Sequence, residues 1–123
     1  MIKNLILAGA GGGLGSILRY LCSRWLGSVT PGQFPWGTFG VNMTGCFLIG
    51  LLWGLSFKSF DSNESWKIFL MVGLCGGFTT FSAFSLEGVG LLRENRIGLF
   101  VLYAAGSVMA GLLLTLLGMR LAR

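Results

Sequence analysis

The feature that most constrains this chain is a series of four apolar runs, each long enough to cross a bilayer. They lie at about 4–26, 36–57, 66–92 and 97–119, each near the roughly 20 residues that a hydrocarbon core requires of a helix. The segments between them are short and rich in proline, glycine or polar residues. We therefore predict an all-α membrane protein, with a single four-span transmembrane domain over residues 1–123.

Charge and composition exclude several other classes. Only 11% of the residues are charged and the mean hydropathy is +0.79, whereas soluble domains carry roughly 25% charged residues. The net charge is +5, but the nine basic residues are scattered near helix ends and are not clustered on one face, which argues against nucleic acid as a partner. The sequence has no histidine and no paired acids, so no enzyme is indicated.

The third run contains the stretch GGFTTFSAFS, residues 76–85. Its glycines and threonines are weak helix formers, and they predict that the third helix is broken near its middle. Freed carbonyl groups would then need partners, because hydrocarbon offers none; a bound cation or the mirror-image segment of a second subunit could supply them. The alternative is that the threonine hydroxyls simply bond to their own helix backbone.

Polar side chains within the spans are mostly hydrogen-bond donors. Asn42 lies in the second span, Tyr103, Ser107 and Thr115 share one face of the fourth, and Glu87 is the only deep acid. A donor-lined path without rings of carboxylates suits a small anion better than a cation. For the two hydroxyls of Ser107 and Thr115, bonding to their own helix is an equally good interpretation.

Two further kinds of side chain are candidates for the same path. Phe81 and Phe84, three residues apart, share a helical face, and their positive ring edges can face an anion, although core packing is the usual role of such rings. Arg19 interrupts the first span, where a charge is costly and is expected to face protein or water. The alternative interpretation is that the Arg19 side chain extends to the membrane surface, as that of Arg24 would.

Oligomerisation is expected because four helices fill their own centre with side chains. Small residues at four-residue spacing could pack helices within one subunit or between two: Gly9 with Gly13, Gly11 with Gly15, Gly50 with Gly54, Gly73 with Gly77, and Gly106 with Ala110.

The basic residues give only a weak orientation bias. Lys3, Lys58, Lys67, Arg120 and Arg123 fall on one side; Arg24, Arg93 and Arg96 fall on the other, with Arg19 if it reaches that surface. The chain could insert both ways and pair as an antiparallel homodimer, or take one orientation with both termini in the cytoplasm.

The stretch GGFTTFSAFS, with GTFGVN (37–42) and GSILRY (15–20), resembles the small bacterial fluoride channels, also called fluoride ion exporters or camphor-resistance proteins. The resemblance covers the whole chain in length, number of spans and order of motifs. One departure is Ala83, where the common TTFST pattern has threonine.

The resemblance implies a fluoride-selective channel of the bacterial inner membrane that exports fluoride passively, through two pores in an antiparallel, dual-topology homodimer. It implies that Phe81 and Phe84 line the pores and that Asn42 donates hydrogen bonds to the anion. It also implies a structural sodium ion (Na⁺) at the dimer centre, held by backbone carbonyls of Gly76 and Thr79 from both subunits. Tyr103, Ser107 and Thr115 match a polar track, and Arg19 and Glu87 fit vestibule or polar-network positions.

Two other functions stay open on the residues alone. Small proton-coupled multidrug or cation exporters also have four spans, but they use an acid in the first span, where this chain has Arg19 and no acid. A noncatalytic subunit of a membrane assembly is the third option.

Overall fold

A computed structural model describes residues 1–29, 34–57 and 64–122. Helix α1 runs over Ile2–Val29 and α2 over Trp36–Ser56. The third span comprises α3 (Ser65–Lys67), a π-helix (Ile68–Cys75), α4 (Gly76–Phe78) and α5 (Phe81–Arg93), and α6 (Ile97–Leu121) is the fourth. All four spans are long and apolar enough to cross a membrane, so the predicted number and order of spans are confirmed.

Two of the basic residues in the orientation count, Lys58 and Arg123, lie outside the described residues.

The predicted break in the third span falls at Thr79 and Thr80. Both residues are extended, with φ/ψ of −86°/159° and −150°/123°. Thr80 then serves as the N-cap of α5, since its hydroxyl oxygen accepts a hydrogen bond from Ala83 N at 3.2 Å. The Thr79 hydroxyl donates to Cys75 O at 2.9 Å. The break and the bonding of threonine hydroxyls to the backbone, which the sequence presented as alternatives, therefore occur together.

A tight turn joins the third and fourth spans. Asn95 adopts a left-handed conformation with φ of 58°, which asparagine tolerates better than most residues. Its N–H bonds to Leu92 O at 3.1 Å, and Arg96 N bonds to Leu91 O at 2.9 Å, the two bonds of a Schellman motif. This turn ends α5 with its carbonyls satisfied and starts α6 at once.

The helices pack in two main pairs, α2 along α6 and α1 along the first half of the third span. Glycines make the second pairing close: a methyl group on Gly11 would meet the backbone of Phe69 and Gly73, and one on Gly15 would meet the backbone of Leu74 and Phe78. Small residues allow such backbone approach.

The expected glycine pairs separate into two groups. Gly11 with Gly15, Gly50 with Gly54 and Gly73 with Gly77 face neighbouring helices of the same chain, whereas a methyl group on Gly9, Gly13 or Gly106 would meet nothing within 4 Å. Packing within one subunit therefore explains the first group.

Candidate functional site

Asn42 bonds to the broken segment of the third span. Its Oδ1 accepts from Thr80 N at 2.8 Å, and its Nδ2 donates to Thr80 O at 3.0 Å. The extended backbone of Thr80 makes this possible, because it points its N–H and C=O to the same side of the chain. The N–H that the helix break releases is thus satisfied by a side chain of α2, which also donates to the carbonyl of the same residue.

A hollow of about 410 Å³ opens beside the break. Of the sequence-predicted residues, the structure brings Asn42, Phe81, Phe84 and Ser107 together around it, along with Gly76 and Thr79. The described residues that line it include no acidic side chain. Its polar groups are an amide, hydroxyls and backbone, which can donate hydrogen bonds to an anion or offer carbonyls to a cation.

The two phenylalanines differ in their surroundings. Their ring centroids lie 5.8 Å apart with an interplanar angle of 42°. Phe84 also packs on Tyr103, with centroids 4.9 Å apart, whereas the Phe81 side chain is 77% exposed in the isolated chain. Phe84 is therefore partly buried against Tyr103, whereas Phe81 projects from the surface of the isolated chain.

Glu87 and Tyr103 form a second polar cluster, together with Thr38. The Thr38 hydroxyl donates to Glu87 Oε1, and the Tyr103 hydroxyl donates to Glu87 Oε2 at 3.4 Å. Tyr103 is fully buried, and Thr38 is 7% exposed. A smaller hollow of about 260 Å³ adjoins this cluster and is lined by Thr38 and Glu87. The single deep carboxylate is thus bonded to two hydroxyls of neighbouring helices.

Thr115 lies apart from both hollows. Its hydroxyl proton is shared between two carbonyl oxygens, Cys46 O of α2 at 3.1 Å and Gly111 O of its own helix at 2.9 Å. This bonding links α6 to α2 and uses the only proton of the hydroxyl. Of the three polar residues predicted on the fourth span, only Ser107 lines the larger hollow.

Arg19 faces protein and not the membrane surface. Its Nε donates to Gly77 O at 3.1 Å, a carbonyl near the end of the first half of the third span. That end carries the negative pole of the helix dipole and unsatisfied carbonyls, so the cation is well placed there. The structure favours the protein-facing interpretation of Arg19 over extension to the surface with Arg24, which bonds to Tyr20 instead.

Replacing Arg19 by leucine should lower the free energy of unfolding by about 1.5–3 kcal/mol, the usual contribution of a hydrogen bond to a charged group. Arg24→Leu is the matched control, because the Arg24 guanidinium bonds only to the exposed Tyr20 hydroxyl among the described residues. Equilibrium unfolding in detergent micelles measures both variants. Equal stabilities would show that the Arg19 bond contributes nothing.

Two carbonyls at the break are candidates for cation ligands. The N–H that would close a helical bond to Gly76 O, that of Thr80, donates to Asn42 instead. For Thr79 O, no donor is found among the described residues. Free carbonyl oxygens are ligands that hard cations prefer, so these two groups fit the sodium ion that the family resemblance implies.

Sequence reasoning missed Thr38 and the role of the Thr80 backbone. Thr38 lies four residues before Asn42, within the quoted GTFGVN, so helical spacing already placed the two on one face of α2. No sequence signal identifies Thr80 as the partner of Asn42, since the two are 38 residues apart.

Four apolar spans, with a break in the third span and a hollow beside that break, define a small multi-pass helical membrane protein. Residues 6–119 match the model of the CrcB-like protein family, described as Camphor Resistance (CrcB). The chain belongs to this family, which confirms the resemblance seen in the sequence.

Curated relatives extend this match over nearly the whole chain. Each of three carries the name fluoride-specific ion channel FluC. That of Thermus thermophilus is 46% identical over 120 residues, covering 98% of this chain and 94% of the relative. That of Azobacteroides pseudotrichonymphae is 45% identical over 118 residues, covering 96% and 94%. That of Flavobacterium psychrophilum is 43% identical over 122 residues, covering 99% and 98%.

Proposed function

We propose that this protein is a fluoride-selective ion channel, not an enzyme, that exports fluoride passively across the bacterial inner membrane. The observation that carries the proposal is the hollow beside the helix break: it is largely apolar, and its few polar groups are an amide, hydroxyls and backbone, with no acid among the described residues that line it. The names of full-length relatives point to the same ion. We take the four spans to form one transmembrane domain.

Selectivity for fluoride requires replacing much of a tight hydration shell within a narrow path. The Asn42 amide and the Ser107 hydroxyl supply donors, and the edges of Phe81 and Phe84 supply weakly positive surfaces that do not hydrate the ion. Larger anions are rejected by the width of the path. Tyr103 and Glu87 continue the polar route beyond Phe84, with which Tyr103 is in contact.

The remaining predicted residues take less direct roles. Thr115 supports the polar track indirectly, because its bond to Cys46 O ties α6, which carries Tyr103 and Ser107, to α2. Arg19 lies at a vestibule, where its charge offsets that of the entering anion.

Passive fluoride movement separates this function from the proton-coupled exporter and from a noncatalytic assembly subunit. Efflux from proteoliposomes loaded with fluoride should proceed at the same rate with and without a proton gradient. A strict requirement for the gradient would indicate an exporter, and no efflux at all would indicate an assembly subunit.

The phenyl rings have a testable role in conduction. Phe81→Ile and Phe84→Ile should each reduce fluoride efflux at least about fivefold. Each change removes a ring edge that would face the anion, and we take that contact to be worth about 1 kcal/mol, as aromatic contacts commonly are. The same proteoliposome assay measures the rate, and size-exclusion chromatography checks that the dimer still forms. Val108→Leu is a control, because it changes another residue of the hollow without touching a ring. Unchanged efflux in both phenylalanine variants would contradict the assignment.

We propose that two subunits pair as an antiparallel, dual-topology homodimer with two pores, the assembly that the family resemblance implies. The larger hollow is open, and the ring of Phe81 at its edge is 77% exposed. A second subunit over this face would close the hollow and cover the ring, so both subunits would contribute to each pathway. A sodium ion at the dimer axis would bind carbonyls of Gly76 and Thr79 from both subunits, and it would supply a fixed positive charge.

Dual topology predicts equal labelling from both sides of the membrane. A cysteine placed at the exposed Glu94, in a chain whose Cys22, Cys46 and Cys75 are replaced by serine, should react with a membrane-impermeant thiol reagent in intact cells to about half. The position lies in the turn between the third and fourth spans. Complete labelling or none would show a single orientation and overturn the antiparallel pairing.

A further inference from the structure

Half of the sulfur-containing side chains of this protein line one hollow. The chain has five methionines and three cysteines, all within the described residues. The larger hollow is lined by 14 residues, and four of these contain sulfur: Met43, Cys46, Met71 and Cys75. Since 8 of the 123 residues of the chain contain sulfur, an even distribution would place about one of them on the hollow. Sulfur is therefore concentrated at this site.

The four side chains come from two helices. Met43 and Cys46 lie three residues apart on α2, and Met71 and Cys75 lie four apart on the π-helix, so each pair spans about one turn. A methyl group on Gly111 of α6 would lie 3.3 Å from Cys46 Sγ and 3.6 Å from Met43 Cε, so the ends of these two side chains converge on one point. Both cysteines are free thiols. Two thiols and two thioethers thus border the same space.

The chemistry of these groups selects the kind of metal ion that could bind. Thiolate and thioether sulfur are soft ligands, which favour soft ions such as Cu(I). Structural zinc sites take four ligands, chiefly from cysteine, histidine and acids, and no group of three such side chains that could hold a metal comes together in the part of the chain that the structure describes. The ligand set therefore disfavours zinc and suits a soft ion.

The charge of the hollow favours a monovalent ion. No acidic side chain is present among the described residues that line it, so a thiolate must supply the negative charge. On binding, the sulfur–hydrogen bond of one cysteine breaks, a sulfur–metal bond forms and the proton passes to water. The product with a singly charged ion is neutral, which limits the cost of placing it in an apolar hollow.

We infer that Met43, Cys46, Met71 and Cys75 form a binding site for a soft monovalent metal ion of the Cu(I) and Ag(I) class, and that the bound ion blocks the hollow. Asn42 and Phe81 line the same hollow, so the metal occupies space that the proposed fluoride path uses. Because the bound complex is neutral, it takes up volume without attracting an anion. Binding of the metal stands on these residues alone, whereas the block rests on the proposed fluoride channel function.

Retention of silver against a competing thiol tests the binding site. Purified protein is loaded with silver nitrate in chloride-free buffer and exchanged against increasing glutathione, and the silver that remains per subunit is measured by elemental mass spectrometry after gel filtration. The wild type should retain about one ion per subunit at glutathione concentrations that remove silver from a single thiol, since additional ligands tighten binding. Failure of the wild type to retain silver would overturn the site.

Substitutions separate a four-sulfur site from isolated thiols. Met43→Leu and Met71→Leu, which conserve volume, should each release silver at a glutathione concentration at least about tenfold lower, because even residues that only support a metal ligand contribute that much. Cys46→Ser and Cys75→Ser should release it more readily still. Cys22→Ser and Met109→Leu are the matched controls, since neither residue lines the hollow, and both should behave as the wild type. Equal retention in both hollow methionine variants, or loss of silver in Cys22→Ser, would overturn the assignment.

Fluoride efflux from proteoliposomes tests the block. Silver nitrate should reduce efflux through the wild type at least about tenfold, and dithiothreitol should restore it. A Cys46→Ser/Cys75→Ser variant, compared with its own untreated rate, should be insensitive to silver, and sodium nitrate controls for the added salt. Silver that binds without slowing wild-type efflux would overturn the block. If the untreated wild type passes no fluoride, the proposed function fails, whereas the silver retention result stands independently.

Discussion

Asn42→Asp should reduce fluoride efflux by about 10³-fold. The change places a carboxylate where the anion must pass, and two like charges about 4 Å apart repel by about 4 kcal/mol at an effective dielectric constant of about 20. The aspartate also lacks the N–H that donates to Thr80 O and the second N–H. All three effects act in the same direction, which makes this the largest expected loss of transport.

The measurement is efflux from proteoliposomes at neutral pH, with the amount of reconstituted dimer determined in parallel. Asn95→Asp is the matched control: it makes the same chemical change in the exposed turn after α5, where φ is 58° and aspartate tolerates the left-handed conformation almost as well. That variant should transport fluoride at the wild-type rate. A fully active Asn42→Asp protein would show that the anion does not pass beside this residue.

Gly15→Ala should lower the free energy of unfolding by about 3 kcal/mol, at the upper end of the usual cost of overpacking. The added methyl group would lie 2.8 Å from Phe78 N and against Leu74 O. Both are backbone atoms, so no side chain can rotate away to make room. The expected result is separation of α1 from the third span just before its break.

Gly13→Ala is the control for this prediction, because it adds the same methyl group to the same helix two residues earlier, where nothing lies within 4 Å. In a membrane helix it should be neutral or slightly stabilising, since alanine is the better helix former. Thermal unfolding in detergent distinguishes the two variants. If they are equally stable, α1 does not pack on the third span as closely as the structure indicates.

Much of the fold follows from local sequence pattern. The length of each apolar run fixes a membrane-spanning helix, and the observed helices begin and end within a few residues of the predicted limits. The weak helix formers of residues 76–80 located the break, because helix propensity is a local property. The motif GGFTTFSAFS also indicated the family, since its ten residues are consecutive in the chain.

The candidate site could be predicted only in part. Spacing indicated that Phe81 and Phe84 are neighbours, and their rings are in contact. Spacing did not indicate that Thr115 bonds to α2 while Ser107 lines the hollow. Both residues lie on the predicted polar face of α6, but their environments depend on what packs against that face.

The sequence by itself determined the four spans, the position of the break and the family, because hydrophobic length, helix propensity and motif order are properties of consecutive residues. Only the tertiary structure decided which groups satisfy the break. Asn42 bonds to Thr80 across 38 positions, and Arg19 bonds to Gly77 across 58. Such pairings depend on how close packing between α1, α2 and the third span brings distant residues together. A buried polar group must find a partner wherever that packing places one.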